Sequence, residues 1–125
     1  MDSGFKIISR EQSARSRQHR GILTQVICEF ETLEVLRIEM ESGSTCDGQE
    51  FGDFAAVHMV VDGTPAFSTA EDSADLMPGD SIVFSINALY AISNRAPTRA
   101  VILSVLFKPG VTEVPPNLFP PCVKG

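Results

Sequence analysis

The sequence predicts an all-β chain of antiparallel strands closed into a sandwich or barrel, and three observations carry that prediction. Apolar runs of five to nine residues recur along most of its 125 residues, at the roughly ten-residue spacing typical of sandwiches and barrels. Clusters rich in Gly, Pro, Asn and Asp separate the runs. No segment carries the apolar stripe of an amphipathic helix, which excludes an alternating strand-helix fold.

Taken in order, residues 10–20 (REQSARSRQHR) have no apolar face and read as an arm or a polar edge. LEVLRIEM, Leu33 to Met40, is the first clear strand, partly apolar on both faces. Phe54 to Val61, FAAVHMVV, is almost continuously apolar, as a strand covered on both sides is. SIVFSI (81–86), LYAIS (89–93) and RAVILSVLF (99–107) follow. The turns between them are ESGS (41–44), DGTP (62–65), MPGD (77–80), NRAP (94–97) and KPG (108–110). In these turns Gly and Asn supply left-handed backbone, and Pro fixes φ. The tail, VTEVPPNLFPPCVKG, holds four prolines and cannot be a central strand. The expected organisation is one domain in three parts: a basic arm or edge over 1–24, a barrel over 25–110, and a Pro-rich strap over 111–125 that packs Leu118 and Phe119 onto the body or a partner chain.

Composition narrows the function classes. Net charge is −6, which disfavours nucleic acid as a partner. Half of the ten basic residues, Lys6, Arg10, Arg15, Arg17 and Arg20, lie in the first twenty positions. They face an acidic middle from Glu29 to Asp53, so the arm is expected on an acidic body, its own or a dimer partner's. The three cysteines, Cys28, Cys46 and Cys122, form no CxxC and are expected to be reduced residues in a cytoplasmic protein. The N-terminus has no apolar core of a signal peptide. The longest apolar run, Ala100 to Phe107, is too short to span a bilayer, so no membrane partner is expected.

Two spaced motifs lie between Gly43 and Asn94. In the first, Gly43 is followed at fixed intervals by Gln49, Phe51, Ala56 and Gly63. In the second, Gly79 is followed by Ser85, Asn87, Tyr90 and Asn94. This spacing resembles the cupin superfamily, specifically its small single-domain bacterial members, whose motifs place two histidines and a glutamate after the first glycine and a third histidine before the asparagine. Gly43, Gly63, Gly79 and Asn94 match; the ligand positions are instead Gln49, Phe51, Ala56 and Tyr90. The resemblance implies a cupin-like jelly-roll barrel and, because such barrels commonly pair through sheet edges, a homodimer. It covers about half of the chain and implies no metal and no other cofactor here, since phenylalanine and alanine offer no donor and glutamine is a poor one.

Strand alternation places Asp47, Gln49 and Phe51 on the inner side, with Ala56, His58 and Val60 on the next strand and Tyr90, Ile92 and Asn94 on a later one. The expected function is metal-independent binding of a small organic ligand in the barrel by Gln49, Phe51, His58, Tyr90 and Asn94. Two alternatives stay open. One is a metal-free enzyme of the isomerase, epimerase, cyclase or lyase type, similar to metal-free cupin sugar epimerases. In it His58 is the base, Tyr90 the acid, and Asp47 the one carboxylate placed to orient the histidine. The other is a structural barrel with no open pocket, in which His58 and Tyr90 are core and Tyr90's ring fills the place of the missing metal. Cys46 lies near the mouth but has no basic neighbour to activate it.

Overall fold

The computed structural model describes residues 4, 6–9, 11–13, 15–51 and 54–108, without the side chains of residues 49 and 50. Among the described residues ten strands form: β1 (Arg15–His19), β2 (Ile22–Glu29), β3 (Leu33–Met40), β4 (Thr45–Asp47), β5 (Ala55–Asp62), β6 (Ala66–Ser68), β7 (Ser73–Asp75), β8 (Ser81–Phe84), β9 (Ala91–Ser93) and β10 (Ala100–Phe107). A 3-10 turn at Gly48–Phe51 follows β4. The strands build a six-stranded sheet ordered β1-β2-β3-β10-β5-β8 and a four-stranded sheet ordered β4-β9-β6-β7. Every pairing is antiparallel. The chain passes back and forth between the sheets, as a jelly roll does.

β10 is the spine of the larger sheet. Its eight residues pair with β3 on one side and β5 on the other. Ala100, Ile102, Ser104 and Leu106 are buried, while Val101, Leu103, Val105 and Phe107 on the opposite face are half-buried. That period of two explains why the run reads as continuously apolar: both faces are covered in part. Ile38 and Met40 of β3, Val60 of β5, Phe67 of β6 and Ile92 of β9 complete a core shared by the two sheets.

Within the segment 10–20, Arg15–His19 form a polar edge strand. β1 pairs with β2 through the two-residue turn Arg20-Gly21, whose φ values are 51° and 80°. Left-handed backbone at both central positions is the hairpin turn that matches strand twist. β2 therefore starts at Ile22, ahead of the barrel start expected at residue 25. One basic residue of the arm meets its own body: Arg15 lies 3.4 Å from both Glu29 and Glu34. The proline-rich strap at 111–125, with Leu118, Phe119 and Cys122, lies outside the described residues. Cys28 and Cys46 are free thiols. Among the described residues no helix is long and apolar enough to cross a membrane.

The turn glycine with the least room is Gly63, between β5 and β6. Its φ is 80°, and a Cβ there would stand 2.6 Å from the Arg99 carbonyl oxygen and 2.8 Å from the Ala100 Cα. Gly63→Ala is expected to lose at least about 1–2 kcal/mol of stability from the left-handed backbone alone, read as a lower urea midpoint. An unchanged midpoint would mean that the turn relaxes.

A sealed His58–Tyr90 centre beside an open cavity

Alternation along β5 points Ala56, His58 and Val60 into the core, and Tyr90, Ile92 and Asn94 are buried from the other sheet. His58 is fully buried and uses both ring nitrogens. Nδ1 lies 2.7 Å from the Ser104 hydroxyl on β10, and Nε2 lies 2.9 Å from the Tyr90 hydroxyl ahead of β9. A phenol is a better donor than an alkyl hydroxyl, so the consistent arrangement has Tyr90 donating to Nε2 and Nδ1–H donating to Ser104. Rings enclose the pair. Phe84 stacks on Tyr90 at 3.6 Å between centroids and 2° between planes. Phe51 and Phe67 approach His58 at 5.3 and 5.7 Å.

Local sequence makes this packing possible. Gly48 opens the 3-10 turn and donates its N–H to the Tyr90 carbonyl at 2.7 Å. A Cβ at Gly48 would stand 2.7 Å from that oxygen and 2.9 Å from the Tyr90 ring. The bare backbone thus seats Tyr90 from one side while Phe84 seats it from the other. Asn87, in place of a glycine, takes the left-handed conformation expected for it, at φ 66°.

Burial sets the protonation states. Desolvation lowers the pKa of His58 to about 4, so the ring is neutral near pH 7. Desolvation also raises Tyr90 above the usual phenol range, and the neighbouring Cys46 adds to the rise. The centre is neutral, hydrogen-bonded and apolar-walled, the state in which a buried imidazole is least costly.

The other expected site residues take different places. Asn94 is hydrogen-bonded to backbone at both ends of its amide. Its Nδ2 donates to the Met40 and Thr98 carbonyls at 2.9 and 2.8 Å, and its Oδ1 accepts from the Ala96 N–H. It ties the end of β3 to the loop before β10. Asp47 is exposed, and on β4 the inward residue is Cys46; what positions His58 is the Ser104 hydroxyl. Gln49 lies on the 3-10 turn, with its side chain outside the described residues. Phe51 is buried and touches the centre.

These residues do not fit a transition metal. Phe51, Ala56 and Tyr90 stand at three of the four ligand-equivalent positions, and both nitrogens of His58 are already bonded. Among the described residues no three His, Cys, Asp or Glu side chains gather as a metal site.

Open space lies beside the centre rather than in it. A cavity of about 470 Å³ sits on the β1–β2–β3 side. Its apolar wall is Val26, Leu36, Leu106, Phe51 and Phe54, with Cys46; its polar rim is Arg15, Ser16, Arg17, Thr24 and Glu34. Phe51 belongs to both places, and neither His58 nor Tyr90 lines the cavity. Sequence reasoning named Phe51 and placed Cys46 near the mouth, but missed the rest of the lining. The missed signal was the Arg20-Gly21 hairpin turn, which brings β1 over the interior.

Two jelly-roll sheets with these strand connections give the chain a cupin fold. Similar solved structures include a cupin 2 conserved barrel domain protein from Salinispora arenicola, with a TM-score of 0.71 and 11% identity over 86% of this chain and 92% of that one. The polyketide cyclase RemF from Streptomyces resistomycificus matches with a TM-score of 0.70 and 10% identity, over 82% of this chain and 79% of that one. KdgF from Halomonas sp. matches with a TM-score of 0.68 and 12% identity, over 82% and 94%. No protein-family model and no curated protein matches the sequence. At these identities the likeness is one of fold.

Because the pKa of folded His58, about 4, lies below its ordinary 6.5, the unfolded chain binds more protons between those values. The stability that His58 contributes is fully present above about pH 6.5 and is lost as pH falls toward about 4. The loss across this window is about 3 kcal/mol. Urea unfolding at steps between those limits should therefore show a steeper decline for the wild type than for His58→Asn; equal slopes would contradict the assignment.

Proposed function

We propose that this protein is a metal-independent cupin-fold binding protein that holds a small organic molecule in the cavity beside Phe51. One observation carries the reading: the ligand-equivalent positions are filled by a closed histidine–aromatic centre, while a separate cavity stands open next to it. Its volume of about 470 Å³ falls within the roughly 300–1,000 Å³ of small-molecule pockets. An apolar wall with a few polar groups at the rim is the usual make-up of such sites. RemF, of the same fold, is a polyketide cyclase, which is in keeping with a small organic ligand.

The enzyme alternative has one observation in its favour, since His58 and Tyr90 do meet, at 2.9 Å. Against it, they bond to each other rather than facing an approaching substrate, and Phe51 stands between them and the cavity wall. A filled structural barrel is disfavoured by the cavity itself.

The test is a panel of neutral aromatic and aliphatic fragments followed by methyl NMR. Binding should move Val26, Leu36 and Leu106 and leave Ile92 in place, and Tyr90→Phe should leave the affinity unchanged. A panel that moves none of the wall residues would overturn the binding reading. Stoichiometric Fe, Mn, Ni or Zn in the purified protein would overturn its metal independence. Turnover abolished by Tyr90→Phe would favour the enzyme.

The same reading takes the protein as a homodimer, as expected from the sequence. Supporting it, β8 is an edge strand, residues 81–94 contain no charged residue, and Val83, Ile86 and Leu89 are exposed there. An uncharged apolar edge is where two like-charged copies can meet. Sedimentation equilibrium should give twice the chain mass of 13.5 kDa; a single-chain mass would rule the dimer out.

A further inference from the structure

The cavity's two halves differ in chemistry, and the difference comes from strand register. On β1, Arg15 stands opposite Val26 and Arg17 opposite Thr24. Directly opposed residues share a face of the sheet, and Val26 is on the inner face. Two arginines of the edge strand therefore rise from the concave face, on the same side as Val26 and Leu36. Among the described residues the lining holds these two guanidiniums and one carboxylate, Glu34, with Glu29 also near Arg15, in a chain whose net charge is −6.

The carboxylates near Arg15 hold it loosely. Both contacts are 3.4 Å, longer than the roughly 2.7–2.9 Å of a charge-assisted hydrogen bond. The Arg15 side chain is 59% exposed, so exchanging one weak ion pair for another costs little. A planar guanidinium offers paired donors that match a carboxylate. Below the rim the wall is apolar, with the rings of Phe51 and Phe54 and the branched side chains of Val26, Leu36 and Leu106.

We propose that the cavity takes a small organic acid, with an aromatic or aliphatic body against Phe51, Phe54 and Leu36 and a carboxylate at Arg15 and Arg17. The inference rests on the small-molecule reading above and narrows it to one class. Charges that face inward on an edge strand also discourage sheet-to-sheet association, and the experiment separates that role from ligand binding.

The probes are 4-phenylbutyrate and its neutral counterpart 4-phenylbutanamide, titrated by calorimetry and followed by methyl NMR. The acid should bind with shifts at Val26, Leu36 and Leu106, more weakly as salt is raised. The amide should bind about tenfold more weakly, the scale of one partly exposed charge-assisted contact. Arg15→Gln and Arg17→Gln should each lower affinity for the acid and leave the amide unchanged; both residues are exposed, so the fold is not at risk. Equal binding of acid and amide, or acid affinity unaltered by both variants, overturns the acid class and leaves the small-molecule reading standing. If the acid leaves the wall residues unmoved while neutral fragments shift them, the acid class fails alone. If neither acid nor fragments shift them, both fail.

Discussion

One hydrogen-bonded unit holds the two sheets at a fixed distance: Ser104, His58 and Tyr90 in line. Ser104 and His58 belong to the six-stranded sheet, and Tyr90 leads into a strand of the four-stranded one. The unit crosses the core, and each member satisfies the next. Losing one hydroxyl would leave a buried imidazole nitrogen without a partner, at a cost of about 1–3 kcal/mol. Phe51, Phe67 and Phe84 close round it, and the low dielectric they create strengthens the bonds while keeping the imidazole neutral.

That unit explains why the cavity lies to one side. The centre of the interior is filled by rings, and the cavity lies where β1 and β2 carry the larger sheet outward and Cys46 and Phe51 face them. Phe51 is the common wall. Its ring packs on His58 and Tyr90 on one side and borders the cavity on the other. The cavity wall and the core packing therefore meet at one residue.

Much of this was legible in the residues. The strand expected at 33–40 is β3, residue for residue. The glycine and asparagine spacing placed the turns, because left-handed backbone and close approach admit few residue types. It also identified His58 and Tyr90 as inward neighbours of Phe51. The spacing did not reveal that Asn94 is engaged by backbone carbonyls, since an asparagine's partners depend on which carbonyls the fold brings near it. Asp47 was misplaced by extending alternation from β4 into the 3-10 turn, where the period of two breaks.

By itself the sequence determined an all-β chain, the order of its main strands and the absence of a metal-binding set at the motif positions. These follow from local chemistry: period-two burial, turn geometry and which side chains carry donors. Only the tertiary structure decided that His58 and Tyr90 satisfy each other, that the basic segment folds back as an edge strand, and that open space lies beneath Arg15 and Arg17. Each of these depends on residues far apart in the chain coming within a few ångströms, and that proximity is set by sheet packing rather than by any local pattern.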